Sequence, residues 1–111
     1  METEPALLAL AALSQGTRLE TFRLLVRHEP AGLPAGEIAQ ALAVPANTLS
    51  SHLGVLSRAG LVTAERRSRS IVYRADLGQL RGLVLYLLKD CCGGRADLCE
   101  PLLAELAPCR A

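Results

Sequence analysis

The stretch LPAGEIAQALAVPANTLSSHLGVLSRAGL, residues 33–61, holds two short helices joined by a tight turn. Pro34 suits the first turn of a helix, because its missing N–H would be unpaired there anyway. Ile38, Ala41 and Leu42 recur at helical spacing and are expected to form the inner face of that helix. Val44-Pro45 breaks the chain. A second helix is expected over Ala46 to Arg58, with Leu49, Leu53 and Leu56 turned to the core. Gly60 can end it in a left-handed cap.

Downstream, Leu61 to Arg67 and Ser70 to Ala75 read as two strands, with Ile71, Tyr73 and Ala75 alternating on one face. Ser68-Arg69 supplies the turn, so the unit is a hairpin with an arginine-rich tip. Helix, turn, helix, hairpin is an order suited to duplex DNA: the second helix enters the major groove and the hairpin lies along the backbone. The exposed residues at the start of that helix are Asn47, Thr48, Ser50, Ser51 and His52. Asn can pair with adenine through two hydrogen bonds, and Ser or Thr can meet bases or phosphates. Arg66, Arg67 and Arg69 would neutralise phosphates. The plainer alternative is a helical bundle with a solvated basic turn. The hairpin in the right order favours the DNA reading.

Upstream, Pro5 to about Ser14 reads as a helix with Leu7, Leu10 and Leu13 spaced by threes. After Gly16, Thr17 and Glu20 match a capping box opening a further helix, whose apolar stripe is Leu19, Phe22, Leu25 and Val26. His28 to Leu33, with Pro30 and Gly32, reads as a loop. At the other end, Leu77 to Lys89 returns to helix with Leu80, Val84, Leu87 and Leu88 on one side.

The 111 residues set a prior of one domain. Half of them are apolar and mean hydropathy is +0.27, a surplus that a homodimer through the first and last long helices would absorb. Aromatics make up only 3% and Trp is absent, which disfavours stacking on single-stranded bases. Net charge is +1, but Arg66, Arg67, Arg69 and Arg74 crowd together while Glu2, Glu4, Asp97, Glu100 and Glu105 lie near the termini. A locally basic edge is enough for DNA. No apolar run reaches transmembrane length, and Leu7 to Leu13 follows glutamates rather than a basic segment, unlike a signal peptide. A cytoplasmic protein is expected. Its four cysteines then read as thiols that bind or react.

Gly16-Thr17-Arg18-Leu19 with Phe22-Arg23-Leu24-Leu25, then Glu37-Ile38-Ala39-Gln40-Ala41-Leu42, then Thr48-Leu49-Ser50-Ser51-His52-Leu53 with Leu56 and Ala59-Gly60-Leu61-Val62, resemble in order and spacing the ArsR/SmtB family of metal-responsive repressors. The resemblance covers about residues 10 to 90. It implies a mainly α, homodimeric winged helix-turn-helix with a small β-hairpin, and operator binding. One departure is Pro45, where the family usually has a Ser that caps the recognition helix. Residues 1–90 would form the DNA-binding and dimerisation domain, and 91–111 a cysteine-containing inducer-binding tail.

That tail contains Cys91-Cys92-Gly93-Gly94-Arg95-Ala96-Asp97-Leu98-Cys99. On one continuous helix Cys92 and Cys99 would sit about 10 Å apart along the axis. Metal–sulfur bonds of about 2.3 Å cannot bridge that span. Gly93-Gly94 permits a fold-back that brings Cys99 to the vicinal pair. An all-thiolate set selects soft ions. Three sulfurs suit pyramidal arsenic(III) or antimony(III), whereas zinc or cadmium would want a fourth ligand, which Cys109 could supply. The alternatives are cysteines that merely pack in a helix, a thiol redox sensor, and a thiol metallochaperone or reductase. The two sensor sites familiar in the family look absent. Pro34 to Ala43 has no Cys, and Asp76 could match an acid of the last-helix site but no His follows it. The C-terminal cysteines resemble a further, arsenic-responsive subgroup. Cys92-Gly-Gly-Arg95 is too short for a Cys-x5-Arg phosphate loop, and neither a nucleotide loop nor a catalytic triad is present, so no enzyme is expected.

Overall fold

The structure, a computed structural model, describes residues 1–91 together with Glu105. Within residues 1–91, five helices and a three-stranded sheet follow in the order α1 (Thr3–Leu13), α2 (Gly16–Arg27), β1 (Leu33–Pro34), α3 (Ala35–Leu42), α4 (Ala46–Arg58), β2 (Val62–Arg67), β3 (Ser70–Ala75) and α5 (Leu77–Cys91). This is the mainly α fold with a hairpin that the sequence implies. The fourth helix spans Ala46–Arg58 as expected, and Leu49, Leu53 and Leu56 are buried. The hairpin pairs Arg67 with Ser70 across Ser68-Arg69, continuing in register to Val62 opposite Ala75.

Several local details differ from expectation, each for a packing or hydrogen-bond reason. Gln15, not Thr17, caps α2: its side-chain oxygen accepts the Arg18 N–H at 2.9 Å, and the helix already starts at Gly16. The 28–33 loop ends in β1, where Leu33 and Pro34 pair antiparallel with Tyr73 and Val72. The strand order is therefore β1-β3-β2, and Pro34 is both strand residue and N-cap of α3. Proline tolerates this edge position because it lacks only the donor. In α3, Ile38 and Ala39 are buried while Ala41 is exposed. In α1 the alanines Ala6, Ala9 and Ala12 face inward, and Leu7, Leu8 and Leu10 face out. Small residues let α1 lie close on α2 and α4. Leu19 is likewise exposed, and Ile71 sits next to the hairpin tip, beyond the core.

The core is centred on Leu25, Ile38, Leu49, Leu56 and Leu61, all fully buried, with Phe22 and Leu83 closing it. Thr21 is equally buried, and its hydroxyl donates to the Thr17 carbonyl at 2.7 Å, so no buried side-chain polar atom is stranded among the described residues. Asp76 Oδ1 accepts the Gln79 N–H at 3.0 Å and starts α5, while the Gln79 amide donates to the Ala59 carbonyl at the end of α4. The acid that the sequence matches to a last-helix metal site is thus a helix cap.

Gly32 fixes how the loop meets the hairpin. Its φ is +75°, and a Cβ there would lie 2.6 Å from both Arg74 Cγ and the Tyr73 carbonyl oxygen. Gly32→Ala is expected to destabilise the fold by at least about 2 kcal/mol, from left-handed strain plus overlap with backbone. Urea unfolding measures this. Parental stability would show that the turn re-forms without the glycine.

Candidate nucleic-acid interface

The exposed face of α4 begins with a helix start that lacks a side-chain cap. Pro45 occupies the cap position with ψ 145° and offers no hydrogen bond. Asn47 partly takes over: its side-chain oxygen accepts the Thr48 N–H at 3.0 Å. A second lone pair and the amide NH2 of Asn47 remain for another partner. Asn47, Thr48, Ser50 and Ser51 are all exposed, and Ser51 Oγ donates to the Asn47 carbonyl at 3.5 Å. His52 is half-buried, turned toward α2 instead of fully outward. The leucines on the opposite face anchor the helix, so the polar residues protrude from a rigid support.

Arg58 was not singled out from the sequence. It lies eleven residues after Asn47, close to three helical turns, and so shares the same face. It is exposed, and its guanidinium lies over Gly54, 3.4 Å from where a Cβ would stand. Helical spacing counted from Asn47 was the signal that could have found it.

The hairpin divides its arginines between two tasks. Arg66 and Arg69 are exposed and have no hydrogen bond or ion pair to the protein among the described residues. Arg67 donates to the Ala31 carbonyl at 3.2 Å and pairs with Glu65 at 3.3 Å, holding the hairpin to the 28–32 turn. Arg74 makes a two-pronged pair with Glu29, at 2.9 and 3.2 Å, that is partly exposed to water. The hydrogen bonds that Arg74 donates to the Glu29 carboxylate, and then the charge of Glu29, raise the Arg74 pKa above its ordinary value. Arg74 is a structural strut, and within the hairpin the positive charge free to meet a partner is at the tip.

Of the predicted thiol site, only the backbone of Cys91 is described, as the last residue of α5. Cys92, Cys99 and Cys109 lie outside the described residues. Among the described residues, no three His, Cys, Asp or Glu side chains are grouped to hold a metal. No helix among them is long and apolar enough to cross a membrane.

A helix-turn-helix with an exposed polar second helix and a basic hairpin beyond it defines a winged-helix DNA-binding regulator. Residues 13–65 match a family model described as a helix-turn-helix domain. The fold is similar to an ArsR-like transcriptional regulator from Rhodococcus sp. RHA1, at 28% identity, over 94% of this chain and 92% of that one, with a TM-score of 0.74. It is similar to the homodimeric winged helix-turn-helix DNA-binding domain of a possible ArsR-family regulator from Mycobacterium bovis, at 26% identity over 80% and 81% of the two chains, with a TM-score of 0.65. It also resembles the transcriptional repressor BigR from Xylella fastidiosa, at 31% identity over 73% and 82%, with a TM-score of 0.58. No curated protein sequence matches the chain. The chain belongs to the ArsR/SmtB family of winged-helix, DNA-binding transcriptional regulators.

Proposed function

We propose that the chain is a homodimeric repressor that holds a roughly palindromic operator in its ion-free form and releases it when arsenic(III) or antimony(III) is captured by Cys91, Cys92 and Cys99. The observation that carries DNA readout is the row of short polar side chains projecting from the start of α4 beside an arginine-tipped hairpin. Asn47, Thr48, Ser50 and Ser51 would face base edges and phosphates, with His52 at their margin. Arg66 and Arg69 would meet the backbone, with Arg67 assisting from its strut.

Pairing of two copies is supported by the apolar face left open by α1 and α5. Leu7, Leu8 and Leu10 are 58%, 52% and 39% exposed, and Leu85 and Leu87 are 57% and 47% exposed. Each leucine fully buried would contribute about 1.5–3 kcal/mol. Two recognition helices would then meet successive half-sites of one operator. The inducer reading is supported by the donor chemistry of three thiols around a Gly-Gly break, in a stretch of sequence that starts at Cys91, the last residue of α5. A change there would act on the helix that helps to pair the protomers. Operator binding titrated with arsenite, antimonite, cadmium and zinc under reducing conditions tests the whole reading. Release by arsenite or antimonite at thiol stoichiometry is expected, and indifference to both would overturn the inducer assignment.

The tip arginines carry a separate expectation. Arg66→Ala with Arg69→Ala should weaken binding to any duplex and lower the slope of log affinity against log salt by about one unit per lost phosphate contact. Adding Arg67→Ala should cost less than either of the others, because its charge is already engaged by Glu65 and its fork by Ala31. An unchanged slope in the triple variant would remove the hairpin from the interface.

A further inference from the structure

We propose that Arg18 is the positioning residue that ties the first helix to the recognition helix and fixes which nitrogen of His52 carries the proton. Its half-buried guanidinium reaches two elements at once. Nε donates to the Ala12 carbonyl at 2.6 Å, and Nη1 lies 3.3 Å from His52 Nδ1. The Gln15 side chain holds the Arg18 backbone N–H, which steadies the stem of the same residue.

The chemistry leaves one assignment. A guanidinium has donors and no acceptor, so Nδ1 of His52 must accept. The ring proton then sits on Nε2, and α4 presents an N–H donor there rather than a lone pair. The Ala12 carbonyl belongs to the last turn of α1, where carbonyls lack helical partners and a cation is favoured. One cation therefore satisfies the end of α1 and orients a ring on α4.

The same α1 is tied at its other end to α5, where Thr3 Oγ1 and the Tyr86 hydroxyl are 2.6 Å apart. A displacement of α5 thus has a bonded route through α1 and Arg18 to His52. Lysine is a poor replacement for Arg18, because its one ammonium nitrogen would have to reach both acceptors, which the guanidinium meets from two separate nitrogens. The proposal rests on operator binding through α4, but its central claim, the His52 tautomer, is read without DNA.

The test uses the full chain with Arg18→Gln, Arg18→Lys, His52→Ala and the double variant Arg18→Gln/His52→Ala. Imidazole 15N shifts of the parent should show His52 protonated on Nε2 alone, and in Arg18→Gln they should show a mixture of tautomers. Operator affinity should fall about tenfold in Arg18→Gln, with at most partial rescue in Arg18→Lys. In the His52→Ala background the same Arg18→Gln change should cost much less, a coupling that general loss of stability would not produce. An unchanged tautomer in Arg18→Gln, or strictly additive losses in the cycle, would overturn the proposal. If the tautomer shifts as expected and no variant changes operator affinity, the positioning role in DNA binding is wrong.

Discussion

Val84→Glu is expected to give monomers that no longer hold an operator. Val84 is 37% exposed on α5, between the exposed Leu85 and the buried Leu83, which closes the protomer's own core. The substitution therefore leaves the internal packing of one copy intact. In a symmetric pair the same patch meets itself, so each interface would receive two carboxylates. An uncompensated buried charge costs roughly 3–5 kcal/mol, which is a loss of at least about a hundredfold in dimer affinity. Operator binding should fall further still, because each half-site is held without the effective concentration that its partner supplies. Sedimentation and thermal unfolding distinguish the outcomes. A folded monomer with weak DNA binding supports pairing through α1 and α5. A tight Val84→Glu dimer would move the interface elsewhere on the surface.

Single substitutions of Cys91, Cys92 or Cys99 by Ser should leave operator binding unchanged and nearly abolish release by arsenite, whereas Cys109→Ser should respond as the parent does. Arsenic(III) fills its coordination with three thiolates, and a hydroxyl is a far poorer donor to a soft ion. Loss of a group that merely supports a metal ligand already weakens binding by about 10–100-fold, so loss of a ligand itself should exceed about a hundredfold. Cys109 is set apart by Pro101 and Pro108 and is close to the chain end. Failure of Cys109→Ser to respond would favour four thiolates and hence zinc or cadmium. Release by mild oxidant, reversed by reductant and indifferent to arsenite, would make the cysteines a disulfide switch. Parental responses from all four variants would leave them with no part in induction.

The fourth helix and the hairpin were legible because their signals are local. Pro45 stops one helix, Leu49, Leu53 and Leu56 repeat at helical spacing, and Ser68-Arg69 separates two alternating segments. The polar row at the start of α4 follows from the same periodicity, since burying the leucines dictates which residues remain outside. The cysteine cluster was also readable, because three thiols around two glycines are rare by composition alone, although only Cys91 falls among the described residues.

Other features depend on partners distant in the chain. Leucines are more apolar than alanines, so pattern alone could not say that Ala6, Ala9 and Ala12 would face inward. That choice belongs to the close approach of α1 to its neighbours. Strand β1 has two residues, and only Val72 and Tyr73 of β3 beside it make it a strand. Four crowded arginines look alike in the sequence. Glu29, 45 positions from Arg74, and Ala31, 36 positions from Arg67, take two of them for structure and leave Arg66 and Arg69 free. Likewise Arg18 and His52 stand 34 positions apart, and neither carries a local sign of the other. Residue type and spacing determined which elements form and which faces are polar. The meeting of distant donors and acceptors, which depends on the packed directions of whole elements, was decided only by the tertiary structure.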